Sequence, residues 1–129
     1  MKINSFEDLE IWKSSLKITR DIYDLTAKRD FSHDFELKNQ LKRAVISISS
    51  NIVEGFEKNN NNEFIRFLKI AKGSSGEVRN QLYIALNVKL ITQEEFETVN
   101  NELLLLNSKI GSLIVYLINQ RSLGHFKTR

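Results

Sequence analysis

Apolar residues recur every three or four positions along most of this 129-residue chain, a spacing that places them on one face of an α-helix. Three short stretches interrupt the pattern: 29–34, 58–62 and 89–91. The sequence therefore predicts four long helices, at about 6–28, 35–57, 61–88 and 92–119. Long helices with short connections are typical of an antiparallel up-down-up-down four-helix bundle, so the predicted fold class is all-α.

Residues that cap helices stand at several of the predicted starts. Ser5 can cap the first helix, and Asp8 lies three residues later, where its side chain can reach back in a capping box. Asp34 is placed to cap the second helix, while Thr92 and Glu95 form a capping box for the fourth. These local signals support the predicted boundaries.

The second predicted helix has an unusual polar side. Its apolar residues form one stripe, made of Leu41, Val45, Ile48, Ile52 and Phe56. Small and polar residues occupy the other directions, namely Ser47, Ser49, Ser50, Asn51, Glu54 and Gly55, where a solvated helix would favour Lys, Glu, Gln or Ala. This composition indicates either close packing of another helix or a binding surface.

A second small-residue segment, Gly73–Gly76, lies in the middle of the third predicted helix. It could be a loop between two shorter helices. Ala71, Val78 and Leu82 keep helical phase across it, however, which favours one continuous helix. Each helical glycine costs about 0.5–1 kcal/mol relative to alanine, so tertiary contacts must compensate. We expect Gly73–Gly76 to pack closely against Ser47–Gly55.

The first and fourth predicted helices carry more apolar residues than one buried stripe requires. The first has two adjacent stripes: Leu9, Trp12, Leu16 and Tyr23, and Ile11, Ile18, Ile22 and Leu25. The fourth has a heptad-spaced stripe flanked by five further apolar residues: Leu104, Leu105, Ile114, Val115 and Ile118. Large apolar surfaces are rare on monomers, so this pattern predicts a homo-oligomer.

The composition indicates a soluble protein of one domain, 1–129, with frayed ends at 1–4 and 120–129. The chain has no cysteine, and His33 and His125 lie far apart, so neither a structural metal nor a cofactor is expected. The N-terminal residues lack the pattern of a secretory signal, and the longest apolar runs are far below the roughly 20 residues of a membrane helix. We expect a cytoplasmic location and no membrane contact.

No arrangement of residues typical of an enzyme is found. Glu54 and Glu77 could be paired carboxylates of a metal site, but helical-bundle metal sites also use Glu-x-x-His pairs, which are absent here. The more economical interpretation is that both glutamates pair with Arg43, Arg66 or Arg79. The serines lack a histidine base, and Gly73–Gly76 lacks the flanking features of a phosphate-binding loop. A non-enzymatic protein is expected.

Basic residues are the remaining candidates for function. The formal net charge is +3, but residues 36–87 carry eight Lys and Arg against five acidic residues. Seven of these form the candidate nucleic-acid-binding set: Lys38, Lys42, Arg43, Arg66, Lys69, Lys72 and Arg79. No aromatic residue is interleaved with them, which argues against recognition of particular bases. The same charges could equally form an ordinary solvated surface.

Several ordered motifs resemble one known family. The main motif consists of Gln40-Leu41-Lys42-Arg43-Ala44, Ser47-Ile48 and Asn51-Ile52-Val53-Glu54-Gly55. Further matches are Phe6-Glu7-Asp8-Leu9 with Trp12, Glu63-Phe64, Phe67-Leu68, Ile70-Ala71, Gly73-Ser74 and Glu77. Over roughly residues 6–118 the chain resembles the bacterial four-helix-bundle proteins encoded in intervening sequences of 23S ribosomal RNA genes. Ser32 and Val53 differ from the residues common in that family.

The resemblance implies an up-down bundle that assembles as a ring-like homopentamer. It also implies a relation to the accessory proteins of diversity-generating retroelements, which bind nucleic acid and a reverse transcriptase through basic surfaces. Two hypotheses follow for this chain. It is either an oligomer that binds RNA or DNA, or a protein-interaction scaffold whose positive charge is incidental.

Overall fold

The computed structural model describes residues 3–122, except the side chains of Arg29, Arg121 and Ser122. Within that range, a 3₁₀ helix spans Phe6–Asp8 and five α-helices follow: α1 Glu10–Thr26, α2 Arg29–Ser32, α3 Phe35–Glu57, α4 Asn61–Asn87 and α5 Gln93–Ser122. No β-strand occurs among these residues. The all-α prediction is confirmed, while the predicted end of the last helix at 119 is too early.

The predicted first helix, 6–28, is wrong at both ends. The capping box closes only a 3₁₀ turn, because Leu9 then adopts an extended conformation with φ −75° and ψ 125°. This conformation buries the Leu9 side chain and delays the start of α1 to Glu10. The helix ends at Thr26, and one further turn, α2, forms inside the stretch expected to be a connection. Phe31 of α2 is fully buried.

The carboxylate of Asp8 holds the N-terminal turn. Its Oδ2 accepts hydrogen bonds from the backbone N–H groups of Asn4, at 2.9 Å, and Ser5, at 3.2 Å. These bonds favour the charged form and lower the pKa of Asp8 below its ordinary value of 3.8. A group with a lowered pKa stabilises the fold above its unfolded pKa, and the contribution is lost as pH falls through the folded pKa.

We therefore expect Asp8→Asn to be less stable than the wild type at pH 7, with the difference shrinking below pH 3.8 as Asp8 is protonated. Urea unfolding of the variant and the wild type, at pH 7 and at one pH below 3.8, measures this difference. Glu7→Gln is the control, because it removes a neighbouring carboxylate from the same turn. An Asp8→Asn deficit of equal size at both pH values would show that the charge has no part in this stabilisation.

The other predicted helix starts agree with the structure. The Asp34 side chain accepts a hydrogen bond from the Leu37 N–H at 3.1 Å, and α3 follows with the predicted bounds. Asn60 caps α4 in the same way, accepting from the Glu63 N–H at 3.1 Å. Thr92 and Glu95 form the predicted reciprocal box before α5, with distances of 2.9 and 3.1 Å. Local side-chain chemistry therefore sets three of the helix starts.

The long helices share one hydrophobic core. Helix α3 packs against α1 and α4, and α5 packs against the same two helices. Apolar side chains from all four helices are fully buried at the centre, among them Ile22, Leu41, Ile48, Ile52, Leu68, Leu82, Leu103 and Ile110. Burial of large aliphatic side chains of this kind is the main stabilising contribution.

The small-residue segments of α3 and α4 do pack against each other, as expected. Between the two helices, the hydroxyl oxygens of Ser47 and Ser74 are 2.8 Å apart. Within α3, the Asn51 amide donates to the Ser47 carbonyl at 2.7 Å. Helix α4 is also continuous through Gly73–Gly76. The glycines have another role than predicted, however, because an added Cβ at Gly73 or Gly76 would meet nothing within 4 Å. Both face outward, and the inner positions belong to the serines.

The close approach between α3 and α4 occurs at Gly55 instead. A Cβ built on Gly55 would lie 2.7 Å from the Cβ of Phe67 and 3.1 Å from Cδ1 of Phe64. Both phenylalanines belong to α4 and are buried. A side chain at position 55 would therefore separate α3 from α4 at this level.

Candidate nucleic-acid interface

Lys69 and Lys72 lie on the side of α4 that borders α5. Together with α5 they line a groove of about 630 Å³ whose other lining residues are Ser108, Gly111, Ser112, Ile114 and Val115. The Lys72 Nζ lies only 3.7 Å from where a Cβ on Gly111 would stand, so the lysine crosses over the glycine. Among residues 3–122, no acidic residue lines this groove. The two ammonium groups are therefore available to an anion.

Arg66, on the same helix, is neutralised by its neighbour. Its guanidinium donates two hydrogen bonds of 3.0 Å to the two carboxylate oxygens of Glu63. This contact raises the pKa of Arg66 and lowers the pKa of Glu63, because each charge stabilises the other. The guanidinium also lies over the Phe67 ring, 4.4 Å from its centre. Arg66 therefore contributes less free positive charge than its spacing predicts.

Arg79 is held by the facing helix. Its Nε donates to Oδ1 of Asn100 on α5 at 2.9 Å, and Asn100 is buried. The contact gives the buried amide oxygen of Asn100 a hydrogen-bond donor. Without a donor, that buried oxygen would lower the stability of the fold. Arg79 thus forms a structural contact between α4 and α5.

Lys38 and Lys42 lie on another side of the molecule, where α3 borders α1 and α2. The Lys42 Nζ stands 4.5 Å from the centre of the Tyr23 ring on α1. The Lys38 Nζ lies 5.0 Å from the centre of the Phe35 ring and donates to the Ser32 carbonyl at 3.3 Å. The expectation that no aromatic residue accompanies the basic ones was therefore wrong at this surface.

The seven predicted residues do not form one surface. Lys69 and Lys72 share the α4–α5 groove, whereas Lys38 and Lys42 face α1 and α2. Arg43 is exposed on α3.

Basic residues of α1 were absent from the predicted set. Lys13, Lys17 and Arg20 recur at steps of three and four, the same signal that drew attention to α4. Lys17 is engaged by Asp21 at 3.1 Å and by Glu102 of α5, and these partners raise its pKa. The pKa of Glu102 is raised mainly by burial, with Asp21 adding to the shift. Lys13 and Arg20 remain on the outer surface.

The acidic candidates do not assemble a site. Glu54 and Glu77 are both exposed, and neither forms an ion pair with a residue in the described range. The expected pairing with Arg43, Arg66 or Arg79 was wrong, because Arg66 binds Glu63 and Arg79 binds Asn100. Across residues 3–122, no three His, Asp or Glu side chains lie close enough to hold a metal ion.

Helix α5 has an apolar outer surface. Leu105 and Tyr116 are 58% and 57% exposed, and Leu104 and Val115 are also exposed. Within Gln93–Gln120, a window of 18 residues is apolar enough for a membrane span, with a mean hydropathy of 1.3 and only 28% of the window buried. Helices of soluble proteins meet the same criterion of length and composition. The α5 outer surface (Leu104, Leu105 and Tyr116) is thus an exposed apolar area, while Val115 also lines the groove with Lys69 and Lys72.

The sequence matches the family described as 23S rRNA-intervening sequence protein over residues 7–112. The chain belongs to this family. All seven predicted basic residues lie within the matched range, whereas the last part of α5 lies beyond it. The family assignment confirms the resemblance found around Gln40–Gly55. The relation to retroelement accessory proteins stays a prediction.

A solved structure supports the membership in the 23S rRNA-intervening sequence protein family. The crystal structure of a protein of unknown function from the S23 ribosomal protein family of Bacteroides thetaiotaomicron VPI-5482 is similar, with a TM-score of 0.74. The two sequences are 26% identical, and the similarity covers 81% of this chain and 97% of the other. No curated protein matches the sequence.

Proposed function

We propose that this protein is a non-enzymatic homo-oligomer, a pentamer, that binds nucleic acid non-specifically through basic surfaces, with RNA as the main ligand. The observation that carries the proposal is the α4–α5 groove, where Lys69 and Lys72 are accompanied by hydroxyl and apolar groups but by no acidic residue from the described part of the chain. Lysines in this arrangement bind phosphates as point charges and recognise no base sequence. The protein needs no cofactor and acts in the cytoplasm.

The proposed fold of the protomer is an antiparallel up-down-up-down four-helix bundle. The order of the contacts between helices supports it. Ser47 of α3 meets Ser74 of α4, while the later Gly55 meets the earlier Phe67. Between α4 and α5, Lys72 lies beside Gly111 and the later Arg79 binds the earlier Asn100. Contacts that run in opposite chain order are those of antiparallel neighbours.

Assembly into an oligomer is supported by the α5 outer surface. The exposed leucine and tyrosine side chains of this surface are solvated poorly by water, and burial against a second copy would remove that unfavourable exposure. A ring of identical subunits repeats each lysine groove around its axis. Repetition strengthens binding to a long polyanion, because each bound phosphate adds to the affinity.

The proposal predicts that Lys69→Ala/Lys72→Ala binds structured RNA more weakly than the wild type, by roughly tenfold or more. The dependence of affinity on salt should also become shallower, by about 0.9 in logarithmic slope for each duplex phosphate that the variant no longer binds. Fluorescence anisotropy with labelled RNA and DNA, between about 50 and 200 mM salt, measures both quantities.

The matched control is Lys58→Ala/Lys89→Ala, which removes the same charge from exposed positions that lie outside the groove and form no ion pair within the described range. It should bind nearly as well as the wild type. Equal losses in the two double variants would mean that net charge matters and the groove does not. Thermal unfolding by circular dichroism shows whether each variant remains folded.

The second candidate function is a protein-interaction scaffold, or an accessory subunit of a reverse transcriptase or another protein, without direct nucleic-acid binding. The α5 outer surface favours it, because apolar patches bind proteins more readily than phosphates. If the protein at low micromolar concentration shows no salt-sensitive binding to RNA or DNA, the result supports the scaffold function and contradicts nucleic-acid binding.

A further inference from the structure

The outer side of α1 forms a shallow groove of about 660 Å³, on a different side of the protein from Lys69 and Lys72. Trp12, Thr19 and Tyr23 line one edge, and Lys13, Lys17 and Arg20 line the other. Leu16 lies between the edges and is 50% exposed, while Tyr23 is 41% exposed. The groove thus combines exposed ring surface with a cationic border.

Both aromatic rings have fixed positions. The Trp12 ring contacts the edge of the Phe6 ring, with 5.2 Å between centres and 73° between planes. The Tyr23 ring is held by Lys42, whose Nζ stands 4.5 Å from the ring centre. Trp12 and Tyr23 are eleven residues apart, about 16 Å along the helix axis, so they would contact different parts of one ligand.

The charges of the groove favour an anionic ligand. Arg20 and Lys42 form no ion pair with a residue in the described part of the chain. Lys13 has one long contact, 3.8 Å, with Glu10. Asp21 binds Lys17, whereas Asp24, four residues after Arg20, forms no ion pair within the described range. Among the described residues, the groove itself is lined by three basic side chains and no acidic one, so positive charge borders the aromatic rings.

We propose that this groove binds single-stranded nucleic acid, with unstacked bases lying on Trp12 and Tyr23 and the flanking phosphates bound by Arg20 and Lys42. The inference rests on the proposed nucleic-acid function and adds a preference for single strands. Bases inside a duplex are stacked on each other, whereas an unpaired base offers its face to an aromatic side chain. Basic residues follow the sugar-phosphate chain beside it.

A membrane surface is the competing ligand, because amphipathic helices with Trp, Leu and basic residues also bind lipid headgroups. Insertion into a bilayer requires a broad apolar face buried about 5–10 Å deep. Here Leu16 is the only aliphatic residue among the described ones that line the groove, and the hydroxyl of Thr19 lies on the aromatic edge. The groove therefore fits bases beside phosphates better than acyl chains.

Trp12 provides a direct test because it is the only tryptophan in the protein. Its fluorescence is measured while the full chain is titrated with oligo(U), with oligo(dT), with an RNA duplex of equal length, and with phosphatidylserine vesicles. We expect saturable, salt-sensitive quenching by the two single strands and little change with the duplex. Quenching by vesicles without quenching by oligonucleotides would overturn the proposal, as would equal quenching by duplex and single strand.

Variants of Tyr23 provide the second measurement, by anisotropy of a labelled single strand. Tyr23→Leu should weaken binding about 5- to 150-fold, since it removes one stacked base. Tyr23→Phe should restore most of the affinity, because it retains the ring. Equal affinity of Tyr23→Leu and the wild type would refute the proposal, and circular dichroism confirms folding of both variants.

The outcomes separate this inference from the function on which it rests. Suppose that the wild type binds the labelled strand and Lys69→Ala/Lys72→Ala does not, while Trp12 fluorescence and Tyr23→Leu show no effect. The groove on α1 is then not a binding site, and the proposed function stands. If the wild type binds no nucleic acid at all, both proposals fail.

Discussion

Gly55→Ala should destabilise the protein by about 1–3 kcal/mol, although the change adds only one methyl group. The new Cβ would lie 2.7 Å from the Cβ of Phe67, well inside van der Waals contact. A Cβ atom cannot rotate away, so relief requires a shift of the α4 backbone. Urea unfolding of the two proteins measures the difference in the free energy of unfolding.

Glycines of α4 provide the controls for this substitution. Gly73 and Gly76 are helical too, but nothing lies within 4 Å of an added Cβ at either position. Gly73→Ala and Gly76→Ala should therefore stabilise the protomer by about 0.5–1 kcal/mol each, the ordinary helix preference of alanine. If Gly55→Ala were as stable as Gly76→Ala, the close approach of α3 and α4 would not exist in solution.

Leu105→Glu/Tyr116→Glu should dissociate the proposed oligomer into folded protomers. Both side chains are exposed on the outer surface of α5, so charge there leaves the core intact. In an interface, the change would remove the burial of two large apolar side chains, about 1.5–3 kcal/mol each, and would bring carboxylates together. Sedimentation velocity measures the change in mass, and circular dichroism measures helix content.

The matched control, Gln93→Glu/Thr98→Glu, adds the same charge to exposed polar positions near the start of α5. It should leave the assembly unchanged. A wild-type protein that is itself a monodisperse monomer would rule out the oligomer, and an unchanged mass for Leu105→Glu/Tyr116→Glu would place the interface elsewhere.

Helix boundaries were predictable where a local side chain determines them. Asp34 and the pair Thr92 and Glu95 lie within three residues of the groups that they cap, so the linear sequence contains the whole interaction. Leu9 shows the limit of such signals. Its extended conformation buries the side chain in the core, and that benefit depends on other helices.

The candidate site was less predictable, because positive charge in a sequence does not reveal which cations are already paired. The contact between Glu63 and Arg66 spans three residues of one helix and was open to prediction. The contacts of Arg79 with Asn100 and of Lys42 with Tyr23 join different helices. They depend on how the helices are aligned, which the spacing of residues within one helix does not determine.

The outward position of Gly73 and Gly76 has a consequence for motion. Without side chains, the backbone at the middle of α4 is open to water, and its helical hydrogen bonds are poorly shielded there. Local opening of the helix therefore requires less free energy at this point than beside the buried phenylalanines. The hydrogen bond between Ser74 and Ser47 lies at the same level of α4 and connects the segment Gly73–Gly76 to α3.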